Sequence, residues 1–299
     1  MRHTDTLPTE APLQNSTKDR VRLLISCPDR PGIVASVSQF LYEHGGNIVQ
    51  SDQHTTDPEN GMFFMRIEAD FHRSNSEGME QAFSDIAGKF DMDWRVEHAG
   101  QKKRLAIFVS KEDHCLLELL WQWKSGNLDV EMAFVASNHP TLRETVEEMG
   151  IPFYHFPVTA DNKRKVERAQ EDLIRKYRVD LIVLARYMQI LTPQFTAAFP
   201  NRIINIHHSF LPAFVGANPY ARAYERGVKL IGATAHYVTD ELDEGPIIEQ
   251  DVQRVNHRDQ VEDLKQIGKY IERIVLARAV RWHIEDRILT YENKTIVFS

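Results

Sequence analysis

Hydrophobic and polar positions follow two different rhythms along the chain, and the change falls near residue 100. Before it, short apolar or alternating runs are separated by two stretches with helical spacing. The predicted elements are, in order, a strand at Val21–Cys27, a helix at Ile33–His44, strands at Asn47–Thr55 and Met62–Ala69, a helix at Asn75–Phe90 and a strand at Met92–Val96. The order βαββαβ is that of a ferredoxin-like domain.

After residue 100, short continuous apolar runs alternate with amphipathic helices. The predicted strands are Leu105–Val109, Val130–Ala136, Phe153–Phe156, Leu181–Ala185 and Ile203–His207. The predicted helices are Cys115–Trp123, Leu142–Met149 and Lys163–Tyr177. This alternation predicts a mostly parallel, Rossmann-like sheet that is covered on both faces. The chain ends differently, with neighbouring strands at Ile231–Val238 and Ile247–Val255 and a long helix at Asp259–Ile284.

We expect two domains with a polar linker between them. Residues 1–20 are polar, contain two prolines and lack the apolar core of a signal peptide, so they predict a disordered leader. The predicted front domain spans residues 21–97, the linker 98–103 and the back domain 104–299.

Charge and cysteine content narrow the class of protein. A formal charge of -7 gives no general attraction to nucleic acid, and no apolar run is long enough to cross a bilayer. Cys27 and Cys115 lie far apart and outside any metal-type or redox-type pair. The sequence therefore predicts a cytoplasmic protein with two buried thiols.

Two turns carry the chemistry of the front domain. The first turn joins a predicted strand to a predicted helix and reads Asp29-Arg30-Pro31-Gly32-Ile33-Val34. The second turn follows that helix and reads Gly45-Gly46-Asn47-Ile48. Backbone N–H groups at a helix start can hold a carboxylate, and Asn47 could reach the same spot. Taken singly, these residues equally fit a tight turn and the start of a strand.

In combination, these turns resemble the ACT domain, over about residues 21–97. The resemblance implies an amino-acid site, which we expect between two chains, formed by Asp29, Pro31, Gly32, Ile33, Asn47 and Ile48. A domain that only joins copies of the chain is the alternative, because fold alone does not give function.

In the back domain, polar residues follow a predicted strand in the pattern Asn205-Ile206-His207-His208. Ligands of open α/β sheets bind at the carboxyl ends of the strands. Asn205 and His207 are two residues apart, so they should point to the same side, whereas His208 should face the other way if the strand keeps its pleat at that residue. An amide and an imidazole on one side can polarise a carbonyl and hold an oxyanion.

Two further segments would complete such a site. Asp243 lies in an acidic loop between His236 and Gly245-Pro246, where its carboxylate could orient His207 or take a proton from water. The segment Leu184–Leu191 follows another strand and can wall a pocket for a flat ring. Each segment also has a plainer interpretation, as a solvated loop or as core.

Together, Asn205-Ile206-His207, Leu211-Pro212 and the Asp243 loop resemble the folate-dependent formyltransferase family, over about residues 103–290. The resemblance implies that Asn205, His207 and Asp243 carry formyl-transfer chemistry. It also implies a folate pocket, lined by Arg186, Tyr187, Met188, Gln189, Ile190, Leu191, Thr239, Asp240 and Glu241.

Departures from the transferase pattern concern the acceptor. The transferases hold the phosphate of glycinamide ribonucleotide on a Gly- and Asn-rich loop, but Ser110–Cys115 has no glycine and adds two carboxylates. Ala213 stands where the transferases have a basic residue. The acceptor is therefore expected to be water.

With its ACT-like domain, the chain resembles the deformylase branch of the family, through residues 207–214 and 216–220. That resemblance implies hydrolysis of 10-formyltetrahydrofolate to tetrahydrofolate and formate, and the formate would supply one-carbon and purine metabolism. It implies glycine and methionine as effectors, no cofactor, no metal, and a homo-oligomer joined through the ACT-like domain.

Three alternatives remain open. One is a formyltransferase that passes the formyl group to an amine. Another is a metal-dependent hydrolase using His207, His208, His236 and Asp243, although these residues match no known ligand spacing. The third is a non-catalytic amino-acid sensor, against which the intact Asn-His-Asp set argues.

Overall fold

A computed structural model describes residues 18–57, 59–72, 78–213 and 218–299. The chain divides into two compact units, Met1–Gly100 and Gln101–Ser299. The first strand begins at Lys18, three residues before the predicted Val21. The rest of the predicted leader, residues 75–77 of the second predicted helix, and Phe214, Gly216 and Ala217 lie outside the described residues.

The first unit has the predicted βαββαβ order. Its elements are β1 (Lys18–Pro28), α1 (Ile33–Glu43), β2 (Asn47–Thr55), β3 (Met62–His72), α2 (Met79–Phe90) and β4 (Asp93–His98). The four strands form an antiparallel sheet in the order β2-β3-β1-β4. Both helices pack apolar residues such as Phe40 and Phe83 against the inner face of the sheet, and this cluster contains Cys27.

The second unit is built on a seven-stranded sheet. Its elements are β5 (Lys103–Val109), α3 (His114–Lys124), β6 (Val130–Ser137), α4 (Arg143–Glu147), β7 (Phe153–His155), α5 (Lys163–Tyr177), β8 (Leu181–Ala185), α6 (Pro193–Ala198), β9 (Ile203–His207), α7 (Pro219–Arg226), β10 (Leu230–Tyr237), β11 (Ile247–Arg254), α8 (Val261–Ile284), β12 (Ile288–Tyr291) and β13 (Lys294–Val297). The strand order is β11-β10-β9-β8-β5-β6-β7, and β12 and β13 form a separate hairpin. Strands β5 to β9 are parallel to one another, whereas β10 pairs antiparallel with both of its neighbours, β9 and β11. The predicted mostly parallel fold is confirmed.

Two apolar clusters cover the two faces of this sheet. Along β5, Leu105, Ile107 and Val109 belong to one cluster, and Ala106 and Phe108 to the other. Both faces are buried, which explains why these strands are continuously apolar in sequence.

The strand order reverses beside β5 and creates the crevice in which a ligand can bind. After β5 the chain builds β6 and β7 on one side, and then returns to build β8 and β9 on the other. Such a switch point leaves a crevice at the carboxyl ends of the strands. Arg186 directly follows β8, and His207 ends β9, so the topology brings them to the same edge.

Several elements were not predicted from the sequence. The short helices α6 and α7 and the β12–β13 hairpin contain too few residues to show a period. The long helix begins at Val261 instead of Asp259, because Gln260 caps it and Asp263 bonds back to the Gln260 backbone. Among the described residues, no helix is long and apolar enough to span a membrane.

Helix α8 should contribute strongly to stability, because it packs on the β9–β10–β11 side of the sheet. Leu276 on this helix is fully buried, so Leu276→Ala should lower the free energy of unfolding by about 2–5 kcal/mol. Tyr270 on the same helix is 56% exposed, and Tyr270→Ala should change it by less than about 1 kcal/mol. Urea unfolding followed by circular dichroism gives both values, and equal midpoints for the two variants would contradict this role of the helix.

Candidate active site

A cavity of about 820 Å³ opens at the carboxyl edge of the second unit's sheet. It is lined by Asn205, His207 and Asp243, the three predicted catalytic residues. All nine residues predicted for the folate pocket also line it, namely Arg186, Tyr187, Met188, Gln189, Ile190, Leu191, Thr239, Asp240 and Glu241. The structure therefore brings both predicted sets into one space.

His207 is the last residue of β9 and is almost completely buried. Its Nδ1 lies 3.1 Å from Oδ2 of Asp243, so the imidazole donates that N–H to the carboxylate. Its Nε2 is buried and has no hydrogen-bond partner among the described residues. The ring is thus fixed at one nitrogen and free at the other, which suits proton transfer to or from a bound molecule.

Asp243 is held by two imidazoles. Besides the His207 contact, its Oδ1 lies 3.6 Å from Nε2 of His236. Burial opposes ionisation of this carboxyl, but the hydrogen bond from His207, together with the nearby His236 ring, outweighs burial and holds the pKa of Asp243 well below its usual range. The group is therefore a carboxylate at neutral pH. Its backbone is left-handed, with φ of 58°, as is common at functional sites.

A glycine makes the turn after Asp243 possible. A Cβ on Gly245 would lie 1.8 Å from the carbonyl oxygen of Tyr237. The loop therefore closes tightly onto the end of β10, and this closure sets the position of Asp243.

Asn205 is oriented by His236, which faces it across the β9–β10 pairing. Nδ1 of His236 lies 2.9 Å from the Tyr237 carbonyl and donates to it, so Nε2 of His236 accepts from the Asn205 amide at 3.2 Å. The second amide hydrogen of Asn205 stays available to a ligand. Sequence reasoning placed His236 only in the metal alternative and missed this role, because the role depends on strand pairing.

The segment predicted to bind the folate, Arg186–Leu191, forms an apolar wall of the cavity and is anchored by the buried Tyr187. Met188 and Ile190 are 58% and 61% exposed, so they present apolar surface and are not core residues. Beneath them Tyr187 is buried against Phe108, and its hydroxyl accepts from Gln170. This arrangement can hold a flat aromatic ring.

Hydrogen bonds and an ion pair to neighbouring segments fix the Ser110–Cys115 segment. Ser110 Oγ donates to Asn138 Oδ1 at 2.7 Å and accepts the backbone N–H of Met188 at 2.9 Å. Glu112 pairs with Lys269 at 2.6 Å, and this contact lowers the pKa of Glu112, although burial acts in the opposite direction. The segment therefore offers a carboxylate, and no glycine, to the cavity.

Glu272 of helix α8 is a charged centre that sequence reasoning missed. It is buried and lines the cavity, with Oε2 at 2.8 Å from His114 Nε2 and Oε1 accepting from the Tyr220 hydroxyl at 2.6 Å. Arg186 Nε lies 3.4 Å from the same carboxylate. Burial opposes ionisation, but these partners keep the pKa of Glu272 below normal. In the sequence, the only indication of this role was an acidic residue among the regularly spaced apolar residues of a long helix.

His208 lies where the sequence did not predict it. It lines the same cavity as His207, and the two ring centroids are 5.4 Å apart. The opposite direction was expected only if the pleat continued to His208, but β9 ends at His207 and the alternation of the strand stops there.

Potential metal ligands gather at a different place from the one proposed. Among the described residues, the only group of three or more whose ligand atoms lie within 4.8 Å of one another is His114, Cys115 and Glu272. Cys115 is a free, buried thiol, and burial raises its pKa well above normal. The predicted alternative with His208 and His236 does not form such a group.

The predicted amino-acid site of the first unit divides between two ends of the sheet. At one end, Gly32 adopts φ of 98° and caps α1, and Asp29 Oδ2 accepts from Thr55 Oγ1 at 2.7 Å. Ile33 is buried, whereas Pro31 and Gly32 are exposed. These residues follow the end of β1.

Asn47 and Ile48 are exposed at the opposite end of that sheet. Asn47 pairs with Asp70 of β3, whereas Pro28 pairs with Met62. Met62 and Asp70 are eight residues apart, or about 26 Å along a strand. One chain therefore does not bring Asn47 to the Asp29–Ile33 turn.

A switch-point sheet whose carboxyl edge brings together an amide, an imidazole and a carboxylate places the second unit in the formyl transferase class. Two family matches agree with this assignment and with the ACT prediction. The formyl transferase family matches residues 103–280, and the ACT domain family matches residues 21–84. Both predicted resemblances are confirmed.

Comparisons over the whole chain are more specific. A Bacillus subtilis protein named formyltetrahydrofolate deformylase is 62% identical over 288 residues, with 96% of each chain covered. The crystal structure of a formyltetrahydrofolate deformylase from Pseudomonas syringae matches with a TM-score of 0.90 and 49% identity, over 96% of each chain. A glycinamide ribonucleotide transformylase from Symbiobacterium toebii matches with a TM-score of 0.64 and 32% identity, over 68% of this chain and 97% of its own. The chain belongs to the formyltetrahydrofolate deformylase family.

Proposed function

We propose that this chain hydrolyses 10-formyltetrahydrofolate to tetrahydrofolate and formate, working in the cytoplasm in one-carbon and purine metabolism. The single observation that carries the chemistry is His207, bound to Asp243 at Nδ1 and unpartnered at its buried Nε2. Whole-chain similarity to proteins named formyltetrahydrofolate deformylase supports the substrate. Free, buried Cys27 and Cys115 are consistent with a reducing compartment.

The folate lies against the wall at Met188–Leu191 and the loop at Thr239–Glu241, with its formyl carbon near Asn205 and His207. Because Asp243 is a weak base with a depressed pKa, we assign the first proton transfer to His207. Water attacks the formyl carbon and gives one proton to Nε2, and Asp243 stabilises the imidazolium that results. Asn205 donates its free amide hydrogen to the oxyanion.

Collapse of the tetrahedral intermediate completes the reaction. The bond between the formyl carbon and N10 breaks, and the His207 imidazolium returns its proton to N10, which leaves as an amine. Formic acid loses its own proton to water. Every step uses side chains of this protein, and 10-formyltetrahydrofolate is a substrate, so we propose a reaction without a cofactor or a metal.

Water is the favoured acceptor because charged residues that line the cavity near helix α8 are paired with one another. Glu112 is paired with Lys269, and Glu272 is paired with His114 and Arg186. A phosphate needs unpaired backbone N–H groups or cations, and the carboxylates there would repel it. This argues against a phosphorylated amine as acceptor.

We propose that the first unit is a regulatory domain and the second a catalytic domain, as expected for residues 21–97 and 104–299; because β4 ends at His98 and β5 begins at Lys103, the linker is limited to residues 99–102. The match to the ACT family supports an amino-acid effector, for which glycine and methionine are our candidates. Because Asn47 and the Asp29–Ile33 turn lie at opposite ends of one sheet, a site using both needs two chains. A homo-oligomer joined through this domain would supply it.

His207→Ala and Asp243→Asn should each lower kcat for formate release by about two orders of magnitude or more, because each removes part of the proton relay. KM should change far less, since the apolar wall at Met188–Leu191 lies on another segment. His257→Ala, at an exposed histidine, is the matched control and should keep wild-type activity. Near-normal kcat in either site variant would remove that residue from the mechanism.

Glycinamide ribonucleotide added to the reaction should give no formylated product, because the Ser110–Cys115 loop has no glycine and the Glu112 and Glu272 carboxylates of the cavity would repel a phosphate. Mass spectrometry of the nucleotide, with formate measured in parallel, tests this expectation. Formylated nucleotide produced as fast as formate would make the protein a transferase.

Glycine or methionine should change formate release, with a shift in substrate affinity of about 5- to 150-fold if the coupling is typical. Asn47→Ala should abolish this response and keep the basal rate, whereas Gln53→Ala, at another exposed residue of β2, should keep the response. A bulky side chain at Gly32 is a poorer test, since φ of 98° would strain it. A wild-type rate that ignores millimolar effector contradicts the regulatory proposal.

A further inference from the structure

His208 is a cavity residue to which the mechanism above gives no task. It follows His207 directly and lines the same cavity, with its ring centroid 5.4 Å from that of His207 and 6.0 Å from that of Tyr220. No described residue hydrogen-bonds to either of its ring nitrogens. An imidazole left in this condition beside a catalytic residue is available to a bound molecule.

The groups around His208 decide its charge. Burial, and next the nearby Arg186 guanidinium, lower the pKa of His208 to about 4, with His207 acting in the same direction. Glu272 and Asp243 oppose this shift but do not overcome it. At neutral pH the ring is therefore uncharged, so one nitrogen carries a hydrogen and the other can accept one.

We propose that His208 is a catalytic residue whose bare ring nitrogen accepts a hydrogen bond from the attacking water. This inference rests on the proposed hydrolysis. One water hydrogen points to His207 Nε2 and is transferred, while the other points to His208 and stays on the oxygen. The oxygen lone pair then forms the bond to the formyl carbon, and no further reactant is needed.

The spacing of the two rings suits this bridge. A water that donates two hydrogen bonds of about 2.8 Å at its tetrahedral angle spans nitrogens about 4.6 Å apart. Ring centroids 5.4 Å apart permit that separation. A water held at two points loses its freedom before the reaction, which is the gain expected from orientation.

The surroundings hold His208 in place. Tyr220 contacts the ring, and the Tyr220 hydroxyl is fixed by Glu272. A Cβ on Gly268 would lie 1.9 Å from that hydroxyl, so helix α8 leaves room for Tyr220 in this position. The Glu272 carboxylate, which lines the cavity, thus holds Tyr220 against the His208 ring that would bind the water.

The test compares His208→Phe, which keeps a ring but loses the acceptor, with His208→Gln, which keeps an acceptor. The Phe variant should lower kcat for formate release by about tenfold or more, with KM for 10-formyltetrahydrofolate within about threefold. The Gln variant should recover most of kcat. Melting temperatures measured by circular dichroism identify a variant that fails to fold. If the Phe variant does not fold, kcat of His208→Gln is compared with kcat of His208→Ala instead.

Equal loss in the Phe and Gln variants would overturn the proposal, because ring volume alone would then matter. Wild-type kcat in the Phe variant would also overturn it. In both cases an active wild type with an inactive His207→Ala variant leaves the proposed function intact. If the wild type itself releases no formate, the proposed function fails first.

Discussion

The hydrogen bond between His207 and Asp243 is the contact on which the rest of the site depends. It joins the end of a central strand to a loop from an antiparallel edge of the sheet, so it forms only when β9 and β10 pair in the observed register. The same register sets His236 opposite Asn205 and orients the amide. One strand pairing thus fixes the tautomer of one imidazole and the direction of its neighbours.

Much of the fold follows from sequence periodicity alone. Asn47–Thr55, Lys163–Tyr177, Leu181–Ala185 and Ile203–His207 have the predicted bounds, because their apolar spacing ends sharply at polar or turn residues. Asn205, His207 and Asp243 could be proposed from strand-end positions and family resemblance. His236 and Glu272 could not, since their partners come from distant segments. The direction of His208 depended on whether the pleat continued past His207, and the sequence alone did not show that the strand ends there.

The first unit illustrates a limit of reasoning along one chain. Its two turns have the sequence character of a ligand site, and adjacent elements suggested that they meet. Antiparallel pairing through β3 instead sends them to opposite ends of the sheet. Proximity of elements in sequence does not predict the end of a sheet on which a residue lies, and the separation observed here agrees with the expectation that the site lies between two chains.

The buried Glu272 network has an evolutionary consequence. His114, Arg186 and Tyr220 share one buried carboxylate, so changing Glu272 alone leaves three groups without it, and changing any one of the three weakens the compensation of a buried charge. Loss of one partner of a buried ion pair costs about 3–5 kcal/mol, a large part of the stability of a domain. Residues that share a network also show non-additive effects. Lineages that interconvert hydrolysis and formyl transfer should therefore exchange these positions together, and intermediates carrying single changes should be rare among natural sequences.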